Sequence, residues 1–483
     1  MKRKKYLGAA ALLLAGYMLG ASSMPMMFSS ADLFGDINSD GTINAKDAAK
    51  ILEYSAWHGA GGKESLYNWL NGIEETPTNP NVNLPDTDDT LSIVCWTDSD
   101  LANMFDIYAQ HSSGKVVYQN CCANGSEASV RYASYLNSGA DIDLYVAEAS
   151  WILNYINDDS YSAPLSDLDI SESDYANAYP YTVEIGTNNN GVLKAASWQC
   201  APGCYTYNAD LAKECLGVTS PEEMQEKISD WDKFENTAQE LYNNTKGGVK
   251  IAASIGDMWQ AFSAVNDSAW VKGTQLQTDT VQEFTAMINR FVNNGYINSN
   301  VRQWTSEWSY AGQNNETLGY FYASWYLGEG SLLEQIEQNG GTNNWRVVKG
   351  PQEFYWGGSW LCVSPNCNTA SEAARFVKSF TTDTKIMKEY ALYSGDFVNN
   401  KVAMNEIIEK GSNANALLGG QDQFAVLADV ANNIKMSDNM TKYDQDLKYI
   451  YLDVLEDNIK HSDDAIMEEF VRRAKEEYPS LTY

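Results

Sequence analysis

Short apolar runs alternate with stretches of helical period between Thr90 and Ala147, and no other feature restricts the fold as tightly. Leu91 to Trp96 is an apolar run of strand length, after which Leu101, Met104, Phe105 and Tyr108 recur at the spacing of one helix face. Lys115 to Cys122 follows as a second strand, Ser126 to Asn137 as a helix and Asp141 to Ala147 as a third strand. A βαβαβ order predicts a parallel sheet with helices on both faces. Ligands of such sheets sit beyond the carboxyl ends of the strands. That geometry nominates Trp96 and Asp98 after the first strand, and Glu148 with Trp151 after the third. The competing structural roles are an N-cap for Asp98, a solvated Glu148 and a packed Trp151.

The remaining length asks for a second unit, because 483 residues exceed what one core sustains. Ser220-Pro221-Glu222 opens a helix with a capping residue, a first-turn proline and early acids. Val249 to Ser254 is a predicted strand. Asp279 to Asn294 is an amphipathic helix with Val281, Phe284, Ile288, Phe291 and Val292 on one face. These elements make a second α/β lobe. Aromatic residues punctuate it, with 14 Trp and 30 Tyr in the chain. Most must be core, yet a surplus suits a cleft that stacks on sugar rings. Trp198 and Gln199 put a flat ring beside polar donors at a strand-to-helix junction, and Trp325 ends the apolar stretch GYFYASW. Tyr355, Trp356, Gly358 and Trp360 surround a glycine pair that a ligand or another backbone can approach closely. Trp259 and Trp308 lie in less regular surroundings but complete the set of candidate ligand contacts.

A net charge of −31 sets nucleic acid and anionic membrane surfaces aside as partners, since both would be repelled. Lys2 to Lys5 are basic, Leu7 to Leu19 is apolar and Ala21-Ser22-Ser23 is a small-residue cleavage site, so residues 1–28 are either a signal peptide or a membrane anchor. Eight cysteines in an exported chain make disulfides plausible, with Cys200–Cys204 and Cys362–Cys367 the expected local pairs.

Asp36 to Asp47, DINSDGTINAKD, has the spacing of a twelve-residue calcium loop. Asp36, Asn38, Asp40, Thr42, Asn44 and Asp47 stand at ligand positions 1, 3, 5, 7, 9 and 12, and Gly41 supplies the sharp turn at position 6. Asp at position 12, with no clear helix before the loop, resembles a dockerin repeat, and only one repeat is present. Residues 32–74 are therefore expected to be a small α-helical, EF-hand-like module that binds Ca2+, with a cohesin as an optional partner. Thr76 to Asp89 holds three prolines and no apolar period, so residues 75–89 are expected to form an extended linker that leaves the module free to move.

The block from Ser197 to Gly217 (SWQCAPGCYTYNADLAKECLG), continued by VTSPEEMQEKISDWDKF, closely resembles the extracellular solute-binding proteins of carbohydrate ABC transporters, family 1. GYFYASW, YWGGSWLCVS, DFVNNKVAM and GGQDQF follow in the family's order, and the resemblance covers Leu91 to the C-terminus. It implies that residues 90–483 form a two-lobed, type II periplasmic-binding-protein-like α/β fold whose chain crosses a hinge more than once. It further implies a monomer that captures an oligosaccharide without catalysis and presents it to a membrane permease. The alternatives are a dockerin-bearing glycoside hydrolase or a cellulosome-type scaffold component. The lipid-modified cysteine usual in the family is missing, as no Cys precedes Cys95.

Overall fold

The computed structural model describes residues 45–59, 83–96, 98–122, 125–263, 269–327, 331–411, 413–436 and 440–483. Asp36, Asn38, Asp40, Thr42 and Asn44, together with the export segment and the first part of the linker, lie outside the described residues. Asp47 is described: it is buried in the first turn of helix Ala45–Gly59. The end of the linker, from Asn83 on, is docked on the first lobe. Asn83 N donates to Asp167 O (2.7 Å), Thr87 N donates to Asn368 O (2.7 Å) and Asp86 bridges Thr369. Prolines remove regular structure but leave the neighbouring N–H groups free to find acceptors.

Strands β1 (Thr90–Cys95), β2 (Lys115–Asn120) and β3 (Leu144–Glu148) are parallel, joined by helices Asp98–His111 and Gly125–Asn137. The remaining strands are β4 (Ala195–Ser197), β5 (Gly203–Asn208), the two-residue strands β6 (Val271–Lys272) and β7 (Gln275–Leu276), β8 (Gly319–Ala323), β9 (Trp345–Val348) and β10 (Ser359–Val363). The first sheet runs β2-β1-β3-β10-β4, with β10 antiparallel to both neighbours. It is therefore mixed, whereas the opening alternation predicts a wholly parallel sheet. β10 arrives some 200 residues later, beyond the reach of any local pattern.

The second lobe departs further from expectation. Its sheet is antiparallel, β8-β5-β9, and the predicted strand at Val249 to Ser254 contributes only isolated bridges, Lys250 to Thr317 and Ala252 to Ile297. β5 is buried along its whole length. Its residues alternate between two cores: Tyr205 and Tyr207 join Phe234, Phe284 and Phe321 on one face, while Cys204 joins Tyr320, Tyr322 and Trp345 on the other. Period-two alternation with apolar residues on both faces is what a central strand between two helical layers requires. Asn208 then ends the strand and caps helix Ala209–Leu216, its side chain accepting from Asp210 N and Leu211 N. The expected cysteine pairs are not joined; Cys200 Sγ lies 3.6 Å from Val398 O and Cys204 Sγ 3.6 Å from Thr206 Oγ1.

The chain passes from the first lobe to the second at Gln199 to Gly203 and returns at Phe354 to Ser359. It crosses again beyond helix Lys401–Lys410, where Leu418 bridges to Asn344. The first two crossings lie side by side, with Gly203 N donating to Phe354 O (2.8 Å) and Trp356 N to Ala201 O (3.0 Å). A Cβ on Gly203 would meet the Phe354 ring at 2.1 Å. Gly203→Ala is therefore expected to overpack this junction and to cost about 1–3 kcal/mol, read as a lower urea midpoint at unchanged slope; an unchanged midpoint would show that the junction yields.

Candidate functional site

A cleft opens between the lobes with the second crossing as its floor. Its enclosed part measures about 150 Å³, and the rest of the space within it is open to solvent. Glu148 and Ser150 enter it from the carboxyl end of β3, Trp259 and Gln260 from helix Ile255–Ser263, and Tyr355, Trp356 and Gly357 from the crossing. Met436, Met440, Asp444 and Lys448 close the far side from the C-terminal region.

Among the described residues Glu148 is held at one oxygen. Its Oε2 accepts from Ser150 N (3.0 Å) and from Ser150 Oγ, while Oε1 is turned toward Gly357, where a Cβ would lie 3.6 Å away. Burial pushes its carboxyl above the usual range, and Lys448 opposes that rise. Burial likewise pushes Asp444 up to about 7, against hydrogen bonds from Thr441 and the charge of Lys448. Among the described residues lining the cleft, Lys448 is the one basic side chain. A carboxyl near its midpoint both donates to and accepts from a hydroxyl, which a neutral polyol can use.

The aromatic wall is Trp356, Tyr355, Trp259 and Trp270. Trp356 packs against both hydrophobic cores, and Trp325 braces it, with Trp325 Nε1 donating to Trp356 O (2.8 Å) and the two rings meeting edge to face at 5.4 Å. Trp259 is buried against Tyr451 and Phe284 and keeps an indole N–H without an acceptor among the described residues. Tyr355 stacks on Tyr181 at 5.6 Å.

Of the residues nominated from sequence, the cleft thus brings together Glu148, Trp259, Tyr355 and Trp356, with Trp325 immediately behind. The others lie elsewhere. Trp198 is fully buried, and Gln199 pairs with Val398 in the first crossing. Trp151 packs edge-on against Tyr132 and Tyr155, and Trp360 donates to Thr182 O (2.9 Å). Trp308 donates to Asp257 Oδ2 (2.8 Å) within the second lobe. Gly358 supplies a left-handed turn (φ 98°) at the base of β10, where a Cβ would meet the Trp360 ring at 3.0 Å. Trp96 is half-buried at the carboxyl end of β1, and Asp98 begins the following helix. Asp444, Lys448 and Trp270 were not nominated; the C-terminal segment reads as charged helix, and no local signal says that its first turn faces a cleft.

A second acidic group joins the lobes. Asp396 Oδ1 accepts from Ser324 Oγ (3.1 Å) across the lobe boundary, and burial with the nearby charge of Asp100 pushes it up to about 7. Burial alone pushes Asp100 up to about 6.

The sequence profile of the family described as bacterial extracellular solute-binding protein matches residues 103–416. The chain belongs to that family. Among solved structures it is similar to an extracellular solute-binding protein of family 1 (TM-score 0.71, 18% identity, covering 80% of this chain and 99% of the other). It is also similar to an ABC-transporter-associated binding protein from B. animalis subsp. lactis Bl-04 in complex with beta-1,6-galactobiose (0.62, 16%, 82% and 100%). A third likeness is to the sugar-binding protein MalE from Xanthomonas citri (0.64, 13%, 80% and 96%). No curated protein sequence matches. Among the described residues no helix is long and apolar enough to cross a membrane.

The raised carboxyls carry a pH signature. Asp100, Asp396 and Asp444 ionise near 4 when unfolded and keep a proton to about 6 or 7 when folded. The folded state therefore binds more protons across that window, and stability falls as pH rises from 4 through 7. The melting temperature is expected to drop between pH 5 and pH 8, and Asp396→Asn, which keeps an acceptor for Ser324, is expected to flatten that slope; an unaltered slope would exclude Asp396 as a contributor.

Proposed function

We propose that this protein captures an oligosaccharide between its lobes and delivers it to an ABC transporter permease, without chemical change to the sugar. The observation that carries the reading is the cleft itself, where half-buried indole and phenol rings face carboxyl groups and amides. The apolar C–H faces of a sugar fit the rings, and its hydroxyls fit Glu148, Asp444, Gln260 and Gln277. Family membership supports the reading, as do the galactobiose complex and the sugar-binding protein among the similar structures. Burying a hydroxyl unpaired costs about 1–3 kcal/mol, so the polar groups select among sugars. The protein acts outside the cell or at its surface, retained or released according to the fate of residues 1–28.

Titration calorimetry of the full chain against plant and starch oligosaccharides, with product analysis of the same mixtures, tests this reading. Saturable heat with intact sugar is expected. Trp356→Ala is expected to weaken binding about tenfold or more, with melting curves to confirm folding. Glu148 and Asp444 sharing one cleft favour a second reading, glycoside hydrolysis by a carboxyl pair. Cleaved sugar in the cell would establish it and overturn pure capture.

The N-terminal module is assigned a calcium-binding role on Asp36, Asn38, Asp40, Thr42, Asn44 and Asp47. The buried carboxylate of Asp47, at the start of a helix, fits the twelfth ligand position. When bound, the cation would neutralise these carboxylates and order the loop. A cohesin on a polysaccharide-degrading assembly is the partner such a module would engage. Saturable calcium heat is expected from the full chain and is expected to vanish in Asp36→Ala/Asp40→Ala; equal heat in both would remove the assignment.

A further inference from the structure

Trp304 plays no part in the cleft described above, yet two of its properties are costly. Its backbone lies in the left-handed region (φ 66°), which penalises a residue bearing a side chain by about 1–2 kcal/mol. The residue is 56% exposed, although many other tryptophans of this chain are buried. A left-handed, outward-facing tryptophan persists only where surrounding contacts over-determine it, and such outliers concentrate at ligand sites.

Four aromatic rings surround it. The Trp304 ring meets Trp308 at 5.0 Å, Tyr326 at 5.6 Å and Trp356 at 5.7 Å, and lies nearly parallel to Trp325 at 6.2 Å and 22°. Those neighbours are themselves pinned, Trp308 by Asp257 and Trp325 by the Trp356 carbonyl. The ring therefore has a rigid back, belongs to an exposed residue and stands beside Trp356, a wall of the cleft.

We propose that Trp304 is a stacking platform at the cleft mouth for a sugar ring beyond those held over Trp356 and Tyr355, so that the ligand is longer than a disaccharide. This rests on the oligosaccharide reading above and adds a length requirement to it. A flat, immobilised indole loses little entropy when a pyranose face covers it, which is what distinguishes a platform from a merely exposed side chain.

The test is calorimetry of malto-, cello-, xylo- and manno-oligosaccharides of two to six units against the wild type, Trp304→Ala, Trp304→Gly and Trp304→Tyr. Glycine relieves the left-handed backbone, so that variant separates loss of the ring from loss of folding. In a series that the wild type binds, both Ala and Gly variants are expected to hold the disaccharide within twofold and to lose about tenfold for three units or more, and Tyr is expected to restore most of the loss. Equal loss at every length would make Trp304 a structural brace for Trp325 and Trp356, and no loss at any length would leave it without a ligand; either result overturns the proposal while the capture reading stands. Absence of wild-type heat in all four series overturns both.

Discussion

The two antiparallel hydrogen bonds between Ala201–Gly203 and Phe354–Trp356 are the constraint on which the architecture depends. They tie the outward and return passages of the chain into a short double strand, so that two of the three crossings form one junction instead of two independent linkers. Ala201 accepts a left-handed backbone (φ 47°) to make the passage, and Gly357 and Gly358 turn the return strand into β10. Because Trp356 belongs to that double strand, its ring reaches both cores, and the floor of the cleft is the hinge itself. A ligand resting on that floor touches the element about which the lobes would move.

Electrostatics and burial act together at the same place. The chain carries a net charge of −31, yet burial holds Glu148, Asp396 and Asp444 near the lobe boundary toward the neutral form, as it does Asp257 and Glu456 within the second lobe. Desolvation exceeds the opposing help from hydrogen bonds and from Lys448, so the cleft presents polar groups without a strong field. An anionic ligand would meet the surrounding charge and a single basic side chain, whereas a neutral polyhydroxyl ligand would not be repelled.

What the sequence reveals of this design follows from the range of each signal. β1, β2 and β3 and the helices between them are legible because apolar period is local, and Glu148 was reachable as the residue at a strand's carboxyl end. The insertion of β10 between β3 and β4 is not legible, since pairing across some 200 residues leaves no periodic trace. Tryptophans are the hardest case. Trp198, Trp151 and Trp360 are core, Trp356 lines the cleft and Trp304 is exposed, yet one residue type serves all five. Spacing cannot separate them, because a buried indole and a ligand-facing indole meet the same apolar demand on the side facing the protein. The Ser306–Gln313 helix begins just after Trp304, and its short length leaves too few turns for a face to be read.

The contacts across the lobe boundary indicate where the energy for closure must come from. On the hinge side the lobes meet through apolar packing, with the Phe397 and Phe424 rings 6.0 Å apart and Trp356 in both cores. On the cleft side they meet through polar pairs, Ser150 Oγ with Gln445 Oε1 at 3.2 Å and Gln445 Nε2 with Ser129 Oγ at 3.4 Å, and beside the first crossing Ser324 Oγ donates to Asp396 at 3.1 Å. Each such pair is net stabilising by only about 1 kcal/mol, because opening returns both groups to water. The apolar side therefore holds the lobes together by packing, while the polar side would oppose opening only weakly. A ligand shifts that balance only by the contacts it gains in one arrangement over the other. Rings on the hinge and the carboxyl groups of Glu148 and Asp444, which line one cleft, are the groups from which a bound molecule would draw that difference.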